Sequence, residues 1–195
     1  MTPDGKLVAA GREDGTISLW DAATGKARPA LKGHTLAVTA LAFVPKGQVL
    51  VSASADRTVL RWDLATGKAS APLAGHTDVV HALAVSADGA TLATASADKT
   101  VRLWDLATGK ERAALKGHKD AVLAVAFTPD GRTIATGGAD RKVVLWDVVT
   151  GQQLLTLTGH GAAVTVVAFN ADGTLLATGS KDKTVRLWPA PREAK

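Results

Sequence analysis

Five tryptophans stand at Trp20, Trp62, Trp104, Trp146 and Trp188, each 42 residues after the one before. Four histidines, His34, His76, His118 and His160, keep the same step, and so do Asp14, Asp56, Asp98, Asp140 and Asp182. Three residue types share one period without an insertion or deletion, which chance does not supply. The chain is therefore an array of equivalent units, each too small to bury its own apolar face and dependent on its neighbours for a core.

A unit of 42 residues is too long for a leucine-rich repeat, and the 3.6-residue apolar period of helical arrays is absent. Each unit instead holds four short β-prone runs separated by turn chemistry. In the second unit these are Val38 to Val44, Val49 to Ser54, Val59 to Trp62 and a weaker run from Lys68 to Leu73. The intervening turns are Pro45-Lys46-Gly47, Ala55-Asp56-Arg57-Thr58 and Asp63-Leu64-Ala65-Thr66-Gly67. Asp88-Gly89, Asp130-Gly131 and Asp172-Gly173 fill the first of these turns in later units, a strong hairpin signal. The first run is apolar on both faces, as in Val122 to Phe127, so it is expected between neighbouring sheets. The fourth is more polar, as suits an outer edge. Small sheets repeated radially, dry inside and wet outside, make a β-propeller.

Composition narrows the function classes. A 46% hydrophobic share and 21% charged residues describe a globular chain able to bury a core. With no cysteine, disulfides and thiolate metal sites are excluded, and a cytoplasmic setting is the expectation. No signal peptide is visible at Met1 to Ala10, and no stretch approaches the roughly 18 apolar residues of a membrane span. The net charge of +5 is dispersed rather than gathered into a basic run.

The Gly-His and Trp-Asp pairs, 28 residues apart from His34 to Trp62, resemble the WD40 repeat. The resemblance runs along the chain up to Trp188. It implies an all-β propeller of about five blades with incomplete first and last blades, either a five-bladed ring or part of a larger propeller. Units of about 1–32, 33–74, 75–116, 117–158 and 159–195 would make one domain over residues 1–195. It further implies a hydrogen-bonded set in each unit: His34, Ser52, Asp56 and Trp62; His76, Thr94, Asp98 and Trp104; His118, Thr136, Asp140 and Trp146; His160, Thr178, Asp182 and Trp188.

A Ser/His/Asp grouping invites a catalytic reading, but a hydrolase needs a single triad with an exposed nucleophile and an oxyanion hole. Here the grouping recurs four times and ends on a Trp, so it reads as structure, and no catalytic residue is assigned. His81 stands outside the period. Five residues from His76 in a loop-to-strand segment, it lacks helical metal-ligand spacing and reads as a surface histidine at the propeller mouth. No phosphate-cradling glycine motif is present, and no cofactor or metal is expected.

Strands running alternately up and down put the Gly-His loops and the Asp turns on one face. The resemblance makes that face the usual partner surface. Its matching positions are Ala37 and Thr39, Val79 and His81, Ala121 and Leu123, and Ala163 and Thr165, with Arg57, Lys99, Arg141 and Lys183 following the turn aspartates. The expected function is a non-catalytic scaffold for a protein or peptide partner. One alternative is weak binding of nucleic acid or another acidic ligand by the basic ring, disfavoured because aromatic stacking platforms are missing. Another, by family analogy, is a regulatory or accessory domain of a larger multidomain enzyme.

Counting runs gives five middle hairpins but only four inner and four outer strands. Thr2-Pro3-Asp4-Gly5 matches Thr128-Pro129-Asp130-Gly131, so Met1 stands where Phe127 ends an inner strand. Ala10 replaces the Ser or Thr of the first unit, and Pro189, Pro191 and the charged Arg192 to Lys195 suit no outer strand. An open arc exposing apolar blade faces, and hence self-association, is the expectation.

Overall fold

A computed structural model describes residues 1–45 and 48–189 of the chain. The turn read at Lys46-Gly47 and the tail from 190 to 195 lie outside the described residues. Every described element is a strand, and hydrogen bonds join them into five antiparallel sheets in chain order. The first sheet holds β1 (Leu7–Gly11), β2 (Ile17–Asp21) and β3 (Ala27–Leu31). The second holds β4 (Val38–Phe43), β5 (Val49–Ser54) and β6 (Val59–Asp63). The third has four strands: β7 (Val80–Val85), β8 (Thr91–Ser96), β9 (Thr100–Asp105) and β10 (Glu111–Lys116). The fourth also has four: β11 (Val122–Phe127), β12 (Thr133–Gly138), β13 (Val143–Asp147) and β14 (Gln153–Leu157). The fifth holds β15 (Val164–Phe169), β16 (Leu175–Ser180) and β17 (Val185–Pro189).

The expected inner strands are β4, β7, β11 and β15, and the five middle hairpins are present, one in each sheet. The weak fourth run of the second sheet is reduced to two isolated bridges, Val59 to Leu73 and Trp62 to Ala69. The Ser70 N–H to the Arg61 carbonyl and the Leu73 N–H to the Val59 carbonyl are the ladder bonds left there, with Pro72 between them.

Each sheet packs flat against the next, and the four cores repeat one recipe. Between the second and third sheets, Val51, Ala53, Val59 and Leu73 meet Val80, Leu92, Trp104 and Leu106. Between the fourth and fifth, Ala124, Ala135 and Val143 meet Val164, Val167 and Leu176, with Trp188 against them. Alternation along the middle strands is what makes both sheet faces apolar, one face for each neighbour.

Among the described residues no buried core joins the first and fifth sheets, as one joins every other consecutive pair. Val143 and Leu103 are buried between sheets, whereas Val185 and Leu187, at the same repeat positions of β17, are 72% and 60% exposed. On the first sheet Val8 is 36% exposed, while its counterparts Leu50, Leu92 and Ile134 are fully buried.

Candidate functional site: the Gly-His rim

The rim begins with a hydrogen-bonded chain inside the second, third, fourth and fifth sheets. In the second sheet, Trp62 on β6 donates its indole N–H to the Ser52 hydroxyl on β5 at 2.8 Å. Ser52 lies 2.7 Å from His34 Nε2, and His34 Nδ1 lies 2.9 Å from the Asp56 carboxylate. Asp56 then accepts the Thr35 backbone N–H at 2.9 Å. The same links join Trp104, Thr94, His76 and Asp98, with the imidazole 2.8 Å from Thr94 and 2.7 Å from Asp98. They recur for Trp146, Thr136, His118 and Asp140, and for Trp188, Thr178, His160 and Asp182.

One proton pattern satisfies all these groups at once, although Thr136 and Thr94 can also donate to the Val144 and Arg102 carbonyls. The hydroxyl oxygen accepts from the indole, so its proton goes to His Nε2, and Nδ1–H is left to donate to the carboxylate. In that pattern Nδ1–H and the ionised carboxylate form the link to the Asp turn. Burial holds His76 below its ordinary pKa despite the upward pull of Asp98. For Asp98, burial alone would raise the value, but hydrogen bonds from Thr100 and His76 outweigh it and bring the group down to about 2. Asp56 and Asp140 are lowered against the same burial, and Asp182 is lowered chiefly by its Thr184 hydrogen bond. The Ser52, Thr94, Thr136 and Thr178 hydroxyls sit in fully buried residues between indole and imidazole, where a substrate has no access.

Glycine precedes the histidine because there is no room for a side chain. A Cβ at Gly33 would stand 2.8 Å from the Trp62 ring, and one at Gly117 would stand 2.7 Å from Trp146. The chain thus pins each Gly-His loop to the Asp turn beside it, a link completed by Ala55 N–H donating to the Ala37 carbonyl at 2.9 Å. The Asp-Gly and Thr-Gly-Lys turns lie together at the opposite end of the sheets, where Leu106 N–H reaches the Ala90 carbonyl at 2.9 Å.

A structural device recurs along this rim. All four inner strands skip one residue in pairing with their neighbour, between Val38 and Ala40, Val80 and Ala82, Val122 and Ala124, and Val164 and Val166. The skipped residues are Thr39, His81, Leu123 and Thr165. A bulge of this kind re-aims its side chain out of the sheet's alternation. Thr39 uses the freedom to donate to the Val80 carbonyl of the next sheet. Ala37, Val79, Ala121 and Ala163 are half-buried beside them. Burial lowers the His81 pKa, with Asp78 pulling the other way.

Arg57, Lys99, Arg141 and Lys183 are exposed at the tips of the Asp turns. Each has a left-handed backbone, with φ of 72°, 71°, 67° and 69°. Sequence reasoning did not foresee this, although Gly15, at the same repeat position with φ of 83°, was the available signal. A shallow groove of about 400 Å³ along the third sheet and the Gly117-His118 loop after it carries Lys99, Arg102 and Lys116 beside Thr77, Asp98 and His118. Arg102 is paired with Glu111. Among the described residues, no group of three or more His, Cys, Asp or Glu side chains is placed to hold a metal.

The family model for the WD domain, G-beta repeat, matches residues 1–21, 25–63, 67–105, 109–147 and 151–189. The chain belongs to the WD40-repeat family. WD40 repeats generally act as protein-interaction scaffolds, and their propeller fold is typically non-catalytic. A comparison with curated proteins found no match. No helix of this WD40 chain is long and apolar enough to cross a membrane, among the described residues.

Proposed function

We propose that this chain is a non-catalytic scaffold, set in the cytoplasm, that holds a protein or peptide partner against the Gly-His rim. The observation that carries the reading is the repeated bulge, which turns Thr39, His81, Leu123 and Thr165 out of their strands on the same rim as the exposed cations. The hydrogen-bonded chains beneath supply rigidity, so little ordering entropy is lost on binding. Lys99 and Lys116 along the groove favour acidic side chains on the partner. The rim lacks Trp and Tyr, the usual anchors of tight interfaces, which points to a modest affinity.

The test is selection of a random peptide library on the full chain, followed by titration of the selected peptides against two variants. One replaces Thr39, His81, Leu123 and Thr165 with alanine; the other replaces Lys68 and Lys110 on the opposite face. The rim variant is expected to weaken binding at least tenfold and the other to leave it unchanged. Equal binding by both would move the partner surface elsewhere. Oligo(dT) serves as the nucleic-acid probe. Steeply salt-dependent binding, lost on neutralising Arg57, Lys99, Arg141 and Lys183, would replace the protein-partner reading.

A further inference from the structure

We infer that a second copy of this chain docks head to tail, the open flank of the fifth sheet of one molecule covering the open flank of the first sheet of the next. This surface is separate from the Gly-His rim and needs no external partner.

The internal cores state what each flank is made to meet. The flank that the fourth sheet turns towards the fifth is Ala124, Ala126, Ala135, Val143 and Leu145. The same positions of the fifth sheet are Val166, Ala168, Ala177, Val185 and Leu187, and of these Val166, Val185 and Leu187 are exposed large apolar residues. The small-residue position gives the same answer. A Cβ at Gly11 would stand 2.5 Å from Val38, and one at Gly137 2.7 Å from Val164, each on the following sheet. At Gly179 the nearest atoms belong only to Val166 of its own sheet, at 3.5 Å. The fifth sheet is built to press on another sheet, and the four internal interfaces define the mating face.

That mating face presents a residue at the end of the inner strand, one on the first middle strand and a tryptophan: Phe169, Leu176 and Trp188 in the last internal core. Stepping back by four repeats of 42, the first sheet offers Met1, Val8 and Trp20 at those positions. Met1 and Val8 are exposed and Trp20 is half-buried. The two flanks therefore match the halves of the interface the chain already forms four times, except that the inner-strand residues Val164 and Val167 of the last internal core have no counterpart among the described residues of the first sheet.

One departure fits the pairing. Ala40, Ala82 and Ala124 each lie two residues after an inner strand's first valine and face the next sheet's inner strand. The fifth sheet has Val166 there, and among the described residues the first sheet is β1-β2-β3 with no strand at the inner position. The larger side chain fills part of that space. The contact joins two different surfaces, so it is heterologous and propagates unless its rotation closes a ring.

The experiment is light scattering after size exclusion on the full chain at rising concentration, with a fifth-sheet variant, Val185→Lys with Leu187→Lys, and a first-sheet variant, Val8→Lys. These residues are exposed in the single molecule, so folding is expected to be intact, and far-UV circular dichroism checks it. The wild-type mass is expected to climb above 20.0 kDa in steps of one chain. Each variant alone is expected to need at least tenfold more protein to associate. An equimolar mixture should recover a dimer and stop there, because it contains one intact pair of flanks. A wild type that stays monomeric overturns the inference, as does association that neither variant weakens. Dimers of the first-sheet variant alone at concentrations where the wild type first associates would also overturn it, since they mean that like flanks pair. Peptide binding at the rim is read separately, so either result leaves that reading where it stood.

Discussion

Thr136 accepts the Trp146 indole N–H at 2.8 Å on one side and lies 2.9 Å from His118 Nε2 on the other. One hydroxyl thus satisfies two buried groups on different elements, and both lose their partner if it is removed. Thr136→Val keeps the shape and deletes the oxygen. An unsatisfied buried polar group costs about 1–3 kcal/mol. Urea unfolding is expected to show Thr136→Val destabilised within that range and Thr136→Ser restored close to wild type. Thr178→Val is expected to cost less, because Trp188 is only half-buried on the open fifth sheet and water can replace the lost hydroxyl.

Stability should fall in two stages as the pH is lowered. Burial depresses His76 and His81 below the ordinary 6.5, so the unfolded chain binds their protons first and stability declines from about pH 6.5 downwards. Asp98, lowered from 3.8 to about 2, stabilises the fold fully above 3.8 and loses that contribution as pH falls towards 2. Asp56 and Asp140 are lowered too and act in the same direction. Equilibrium unfolding from pH 8 to pH 2.5 measures this. His81→Gln is expected to shrink the first decline and leave the second intact. A stability that rises between pH 6.5 and pH 5 would contradict the lowering of His76 and His81.

Most of the architecture was legible because the period fixes it. Trp, His and Asp at one step, and apolar residues on both parities of Val122 to Phe127, admit few arrangements other than stacked sheets. The set of His, hydroxyl, Asp and Trp was readable by resemblance. The bulges at Thr39, His81, Leu123 and Thr165 were not, since a skipped residue in an all-apolar or mixed run leaves no composition mark. The broken outer strand around Pro72 was partly visible as a weak run. The groove at Lys99 and Lys116 depends on β9, β10 and the two Gly-His loops coming together, which no local pattern shows.

The left-handed cations give a prediction of opposite sign to most substitutions. A non-glycine residue at positive φ carries a strain of about 1–2 kcal/mol, and glycine removes it while giving back about 0.4–1 kcal/mol through a looser unfolded chain. Lys99→Gly and Arg141→Gly are therefore expected to leave stability unchanged or raise it by up to about 1.6 kcal/mol. The first unit already has Gly15 at this position. There a Cβ would come within 2.5 Å of the His34 carbonyl oxygen, so Gly15→Ala is expected to destabilise clearly. Chemical denaturation of the three variants side by side decides it, and a loss in Lys99→Gly would show that the side chain contributes more than its backbone costs.

Two glycines of the Gly-His segments should respond differently to the same added methyl. A Cβ at Gly117 would stand 2.7 Å from the Trp146 ring and 2.9 Å from the Gln153 side chain, and the ring is locked in the core between sheets. Moving the loop instead would draw His118 away from Asp140. Gly117→Ala is thus expected to cost on the order of 1–3 kcal/mol, as overpacking does. Gly161 follows its histidine, has no positive φ, and meets only Asp182 at 3.7 Å. Its counterparts are Thr35, Thr77 and Lys119, so Gly161→Ala is expected to be neutral or slightly stabilising through a stiffer unfolded chain. Thermal unfolding of both variants measures the contrast. Equal effects would mean that the glycine before the histidine is not set by the indole beneath it.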